Sequence, residues 1–132
     1  MNKKSLIAIL VILFAPLLVL GVLSRRSNVT MAEKQTNQPK IIKFSSHMCL
    51  DCKELKKNMD KVYPKYQNDI LLEEIQVQDN TPYNNQMIKK YNITLVPTVI
   101  ILDKNGKQIN RFEGNIEKKE LDKLMSGLVH VK

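Results

Sequence analysis

The stretch Ile41-Ile-Lys-Phe-Ser-Ser-His-Met-Cys49-Leu-Asp-Cys52-Lys-Glu-Leu55 decides the fold. It reads as a short apolar run, a polar turn, and a helix that opens on a cysteine pair. Cys49 and Cys52 are the only cysteines in the 132-residue chain. At the first turn of a helix, a spacing of two residues brings both sulfurs to one place, where they can close a small disulfide ring. The N-terminal sulfur stays at the helix end, whose unsatisfied N–H groups and positive dipole favour a thiolate over a thiol. A Cys-x-x-Cys pair between a strand and a helix is the sequence sign of a thiol–disulfide redox site.

Three other readings compete with redox chemistry. A structural zinc site wants four Cys or His ligands. The chain offers two cysteines and two histidines, His47 and His130, and His130 lies in the C-terminal tail, so a closed site is not expected. An inert disulfide across so short a ring removes little entropy from the unfolded chain. A soft cluster of His47, Met48, Cys49 and Cys52 suits Cu(I). The alternative to a redox enzyme is therefore a Cu(I)-binding, metallochaperone-like module that uses Cys49, Cys52 and His47.

Outward from this stretch, the pattern reads as follows. Lys40–Phe44 is a short strand, and its Ile41, Ile42 and Phe44 suggest burial on both faces. From Cys49 the apolar positions Leu55, Met59, Val62, Tyr63 and Tyr66 recur at helical spacing until Pro64 kinks or ends the helix. Ile70–Val77 is a second strand. Thr81-Pro82 opens a second helix, with Tyr83, Met87, Ile88 and Tyr91 on one face and Asn92 in the left-handed position beyond it. Pro97 stands at the start of the β-branched run Thr98–Leu102. Asp103-Lys-Asn-Gly106-Lys is a hairpin turn and Gln108–Glu113 the return strand. Asn115 is the expected cap of a last helix whose Leu121, Leu124, Met125 and Leu128 share a face. The order is β-α-β-α-β-β-α.

The N-terminal part differs in kind. Residues 1–5 are a basic start, and Leu6–Leu23 follows without a charge. As a helix this run would span about 27 Å, close to the roughly 30 Å of a bilayer core. It is longer than an ordinary signal-peptide core. We read 6–23 as a transmembrane anchor, with a cleaved signal peptide as the alternative. Residues 24–39 are polar and aperiodic, a flexible linker. Lys3 and Lys4 argue for a cytoplasmic N-terminus and Arg25 and Arg26 for the reverse. The first pair fits an export start, which makes the protein membrane-anchored with its catalytic domain extracytoplasmic, where disulfides persist. The formal charge is +8, but those four residues carry half of it. The remaining lysines are scattered with no aromatic-interleaved patch, so no nucleic-acid partner is expected.

This order, with Cys-x-x-Cys opening the first helix, Val96-Pro97-Thr98 opening the third strand and an Asn-Gly hairpin, resembles the thioredoxin family over about residues 38–130. The resemblance implies a short thioredoxin-like α/β fold within 40–132, a four-stranded mixed sheet in the order 2-1-3-4; the apolar run over 6–23 adds the expected N-terminal transmembrane helix before it. It implies a thiol–disulfide oxidoreductase, expected to act as a reductase of disulfides in exported proteins. Cys49 would be the attacking thiol and Cys52 the resolving thiol. Pro97 would be the cis proline beside the sulfurs, with the Val96 backbone and Met48 contacting substrate. No metal is implied, and no cofactor beyond a redox-active Cys49–Cys52 disulfide. The expected partners are protein disulfide substrates, a membrane electron-donor protein and the membrane itself, for a monomeric chain.

The sequence also departs from the family. Met48 replaces a tryptophan, and Leu50-Asp51 replaces Gly-Pro. Lys43 stands where the cytoplasmic members bury a carboxylate. Asp51 works against a thiolate at Cys49, whereas Lys53 and a protonated His47 work for one. Lys43 is read as pointing to solvent, with an effect on the Cys52 thiolate as the other possibility. A third class of function, a non-catalytic docking module on this fold, would leave the cysteines without a task.

Overall fold

The structure is a computed structural model and describes residues 2–4, 7, 12 and 37–130. The expected anchor over 6–23 and the linker as far as residue 36 lie outside the described residues, apart from Ile7 and Ile12. Among the described residues no helix is long and apolar enough to cross a membrane. Contacts divide the chain into two units, Met1–Glu33 and Lys34–Lys132, and the elements below belong to the second.

The strand β1 (Lys40–Ser45) is buried from Ile41 to Ser45. After it come α1 (Leu50–Val62), a 3-10 turn (Tyr63–Lys65), β2 (Leu71–Gln76), α2 (Pro82–Lys90), β3 (Thr98–Leu102), β4 (Gln108–Glu113) and α3 (Lys118–His130). The sheet order is β2-β1-β3-β4. β1 runs parallel to β2 and antiparallel to β3, and β3 pairs antiparallel with β4. This is a mixed four-stranded sheet with three helices. β1 is therefore an interior strand, and side chains from both its faces enter a core.

On one face Ile41, Val99 and Ile101 pack under Leu55 and Met59 of α1 and Leu121 and Met125 of α3. On the other, Ile42, Phe44, Ile100 and Leu102 pack under Met87 and Tyr91. The Phe44 and Tyr91 rings lie 6.1 Å apart, tilted by 59°. Gln38 and Pro39, at the end of the expected linker, are fastened to the domain. The Gln38 amide donates to the Asn68 carbonyl at 2.8 Å, and the Pro39 carbonyl accepts from Leu71 at 3.0 Å.

The helix ends follow local chemistry. α1 stops at Val62 because Pro64 has no N–H to continue it and instead opens the 3-10 turn. Thr81 caps α2, its Oγ1 accepting from the Asn84 N–H at 3.0 Å, with Pro82 at the first position. Asn92 takes φ 48° beyond α2. Arg111 from β4 covers that helix end, donating to the Tyr91 carbonyl at 2.7 Å and the Asn92 carbonyl at 3.3 Å. In the hairpin, Gly106 has φ 79° and the Asp103 carboxylate accepts from the N–H of Asn105 and of Lys107.

Three expectations fail here. Tyr83 is 36% exposed and donates to the Glu73 carboxylate, because it begins the helix beyond the reach of the core. Asn115 does not cap α3, which starts at Lys118; its Oδ1 is buried without a hydrogen-bond partner. His130 ends α3 rather than lying in a tail.

Leu55 is wholly buried between α1 and the sheet, whereas Ile109 on β4 is 52% exposed. Leu55→Ala is expected to lower the unfolding free energy by about 2–5 kcal/mol, and Ile109→Ala by roughly 0.5 kcal/mol or less. Urea denaturation of the full-length chain checks both. Equal effects would contradict this core.

Candidate active site

The site forms where β1 ends. The turn after Ser45 reverses the chain through Ser46, His47 and Met48 into Cys49, which caps α1 with φ −90° and ψ 123°. Its sulfur takes the place that an oxygen occupies in ordinary caps, accepting from the Cys52 N–H at 3.1 Å. The turn is held from both ends. Cys49 N–H donates to the Ser46 carbonyl at 3.3 Å, and the His47 N–H donates to Gln78 Oε1 at 3.2 Å. The Gln78 amide also donates to Ser46 Oγ. Ser46 and Gln78 were not among the residues expected to matter, and nothing in their sequence context marks them.

The two sulfurs are free thiols in different surroundings. Cys49 is partly exposed, and Cys52 is 4% exposed. Burial pushes the Cys52 thiol up to about 11 from an ordinary 9.0, and its hydrogen bond with Cys49 adds to the rise. The Ser46 backbone N–H and the charge on Lys43 pull the other way. At neutral pH Cys52 is therefore a protonated thiol held behind an accessible sulfur.

The third side of the site is the loop before β3. The Val96–Pro97 peptide bond is cis, Pro97 is buried, and the Cys49 sulfur lies 3.7 Å from the Val96 carbonyl oxygen. Two contacts fix this loop. Thr98 Oγ1 donates to the Leu95 carbonyl at 2.8 Å, and the Gly114 N–H donates to the Pro97 carbonyl at 2.8 Å. Met48, Leu50 and Leu95 are exposed apolar side chains close in sequence to Cys49 or Val96. Cys49, Cys52, Val96 and Pro97 are thus brought together, with Met48 at the rim. His47 and Asp51 are exposed.

Lys43 does not point to solvent. It is 2% exposed, on the α1 side of the sheet, and its ammonium lies 3.1 Å from Glu74 Oε1 on the neighbouring strand. The alternation of β1 places residue 43 on the same face as Ile41, so the position is interior whatever its residue type. Glu74 supplies the countercharge that keeps a lysine there. The geometry does not favour the Cu(I) reading with His47 as a ligand. Among the described residues no three His, Cys, Asp or Glu side chains form a group able to hold a metal ion, so His47 does not join the two sulfurs.

Residues 28–128 match the model of a thioredoxin-like domain. The chain belongs to the thioredoxin-like family. Solved structures that resemble it include two from malaria research. One is a thioredoxin-2, described as a component of the malaria parasite's protein secretion machinery, with TM-score 0.61 and 22% identity, covering 68% of this chain and 82% of its own. The other, described as a malarial protein, has TM-score 0.60 and 21% identity and covers 70% of this chain and 98% of its own. At these identities the likeness is one of fold. Family membership supports chemistry of the thiol–disulfide oxidoreductase type.

The raised Cys52 value gives a pH dependence with a definite sign. The folded, reduced chain holds this proton more tightly than the unfolded chain does. The stabilisation is complete below about pH 9 and is lost as pH rises through about 11. It amounts to about 2–3 kcal/mol. The stability of reduced wild type relative to Cys52→Ser should therefore fall between about pH 8 and 11, measured by urea denaturation. A difference that does not change with pH would contradict the burial argument.

Proposed function

We propose that this protein reduces disulfide bonds in exported proteins, from a membrane-anchored position with the domain outside the cytoplasm. The observation that carries the reading is the pairing of an accessible Cys49 at a helix start with a buried Cys52 behind it. The Cys49 thiolate attacks a substrate disulfide and forms a mixed disulfide, and one substrate sulfur leaves as a thiolate. Cys52, having given its proton to water, attacks Cys49. The Cys49–Cys52 bond forms, the bond from Cys49 to substrate breaks, and the second substrate sulfur leaves and takes up a proton. The substrate has gained two electrons and the protein has lost two. A membrane protein that passes electrons outward returns the pair.

Substrate contact follows from the same geometry. An extended substrate strand beside Cys49 would pair with the Val96 backbone, a mode of recognition that reads main chain more than side chains. Met48, Leu50 and Leu95 offer apolar surface to whatever flanks the substrate cysteine. Such contacts suit varied protein disulfides better than one small molecule.

The full-length chain should accelerate the reduction of insulin by dithiothreitol, and Cys49→Ser should abolish the acceleration. Cys52→Ser, expressed in cells, should accumulate mixed disulfides through Cys49 with exported proteins. Wild-type turnover equal to that of Cys49→Ser would reject the reading.

A further inference from the structure

Cys49 stands in the chain between two exposed apolar side chains, Met48 and Leu50. Met48 is 87% exposed, more than any other large apolar residue among those described, and it is a thioether. The other described methionines, Met59, Met87 and Met125, are buried, none more than 6% exposed. Local structure explains the difference. Those three sit on the inward faces of α1, α2 and α3. Met48 belongs to the turn that delivers Cys49. Its N–H donates to Ser46 Oγ at 3.3 Å, and the Gln78 amide donates to the same oxygen. The Met48 backbone is fixed in the turn while its side chain is left to solvent.

Exposure decides how a thioether meets an oxidant. Hydrogen peroxide reaches a sulfur at the surface and is kept from sulfurs inside a close-packed core. In the reaction the oxygen–oxygen bond breaks, one oxygen bonds to Met48 Sδ, and the other leaves as water. The sulfur has lost two electrons and the peroxide has gained two. The product is a sulfoxide, polar where the thioether was apolar. Beside Cys49, the new oxygen must shed its water whenever a protein docks over the cysteine, a cost that the thioether does not impose.

We propose that Met48 is a site of modification by hydrogen peroxide, and that its sulfoxide weakens the docking of disulfide-bearing proteins at Cys49. The effect on docking rests on the reductase reading; the site of oxidation does not. Met48 does not enter the thiol–disulfide exchange, so its oxidation acts on substrate affinity and leaves the exchange between Cys49 and Cys52 intact. The modification is reversible, because methionine sulfoxide reductases return the sulfoxide to the thioether.

The test starts from the full-length chain with its cysteines oxidised to the disulfide, which shields them from peroxide. The chain is treated with hydrogen peroxide and mapped by mass spectrometry. Met48 should gain one oxygen before Met59, Met87 or Met125 does. In the insulin assay, the KM of the treated chain should rise by roughly threefold to tenfold, the scale of one lost apolar contact. The kcat should not change, and methionine sulfoxide reductase should restore the KM. In Met48→Leu, whatever its own KM, peroxide should leave that value where it was. This variant also tests Met1 and Met31, which lie outside the described residues. Oxidation of Met48 no sooner than of the buried methionines would overturn the proposal. So would an unchanged KM in the oxidised wild type, or an equal rise in Met48→Leu. If the untreated chain reduces no insulin, the reductase reading fails before peroxide is added, and the map still decides the site of oxidation.

Discussion

The site depends on β1 being covered on both faces. An interior strand with helices above and below cannot shift or slip without exposing Ile41 and Leu55 on one side or Ile42 and Phe44 on the other. That constraint fixes where the strand ends, and so where the turn after Ser45 delivers Cys49. Everything reactive follows from the delivery point. One sulfur caps a helix at the surface, and the other, one turn further on, faces inward. The loop before β3 meets them because β3 lies beside β1 in the sheet.

The same burial sets an electrostatic problem. The strand that must be apolar on both faces carries a lysine, and the helix above it carries a thiol that must lose a proton. Burial alone pushes Cys52 away from ionisation, while a nearby ammonium favours it. A lysine at this position is tolerated because the neighbouring parallel strand offers Glu74 at the paired register. Ser45 and Gln76 hold that carboxylate in place.

Much of this was legible in the sequence, for identifiable reasons. The cysteine spacing, Pro64, Thr81-Pro82, Asn92 and Asn105-Gly106 are local signals, and each leaves its mark within a few residues. The element order and the sheet order followed from them and from the family resemblance. What failed was tertiary. The charge of Lys43 suggests solvent, but its place in an interior strand puts it inside, as the both-face burial inferred for β1 implies. Glu74 could not be named, because its partnership depends on the register between two strands. Gln78, Thr98 and Gly114 hold the site through long-range contacts of the same kind. Asn115 had the right residue type for a cap but stands too far before the first turn of α3.

The central claim is that Cys49 and Cys52 act as one redox unit. It is tested most directly by equilibrating the full-length chain with glutathione buffers of increasing oxidised fraction, then trapping the remaining thiols and mapping them by mass spectrometry. The account predicts that both cysteines lose reactivity together in a single transition to an internal disulfide. Stable glutathione adducts on Cys49, with Cys52 still a free thiol across the series, would contradict it.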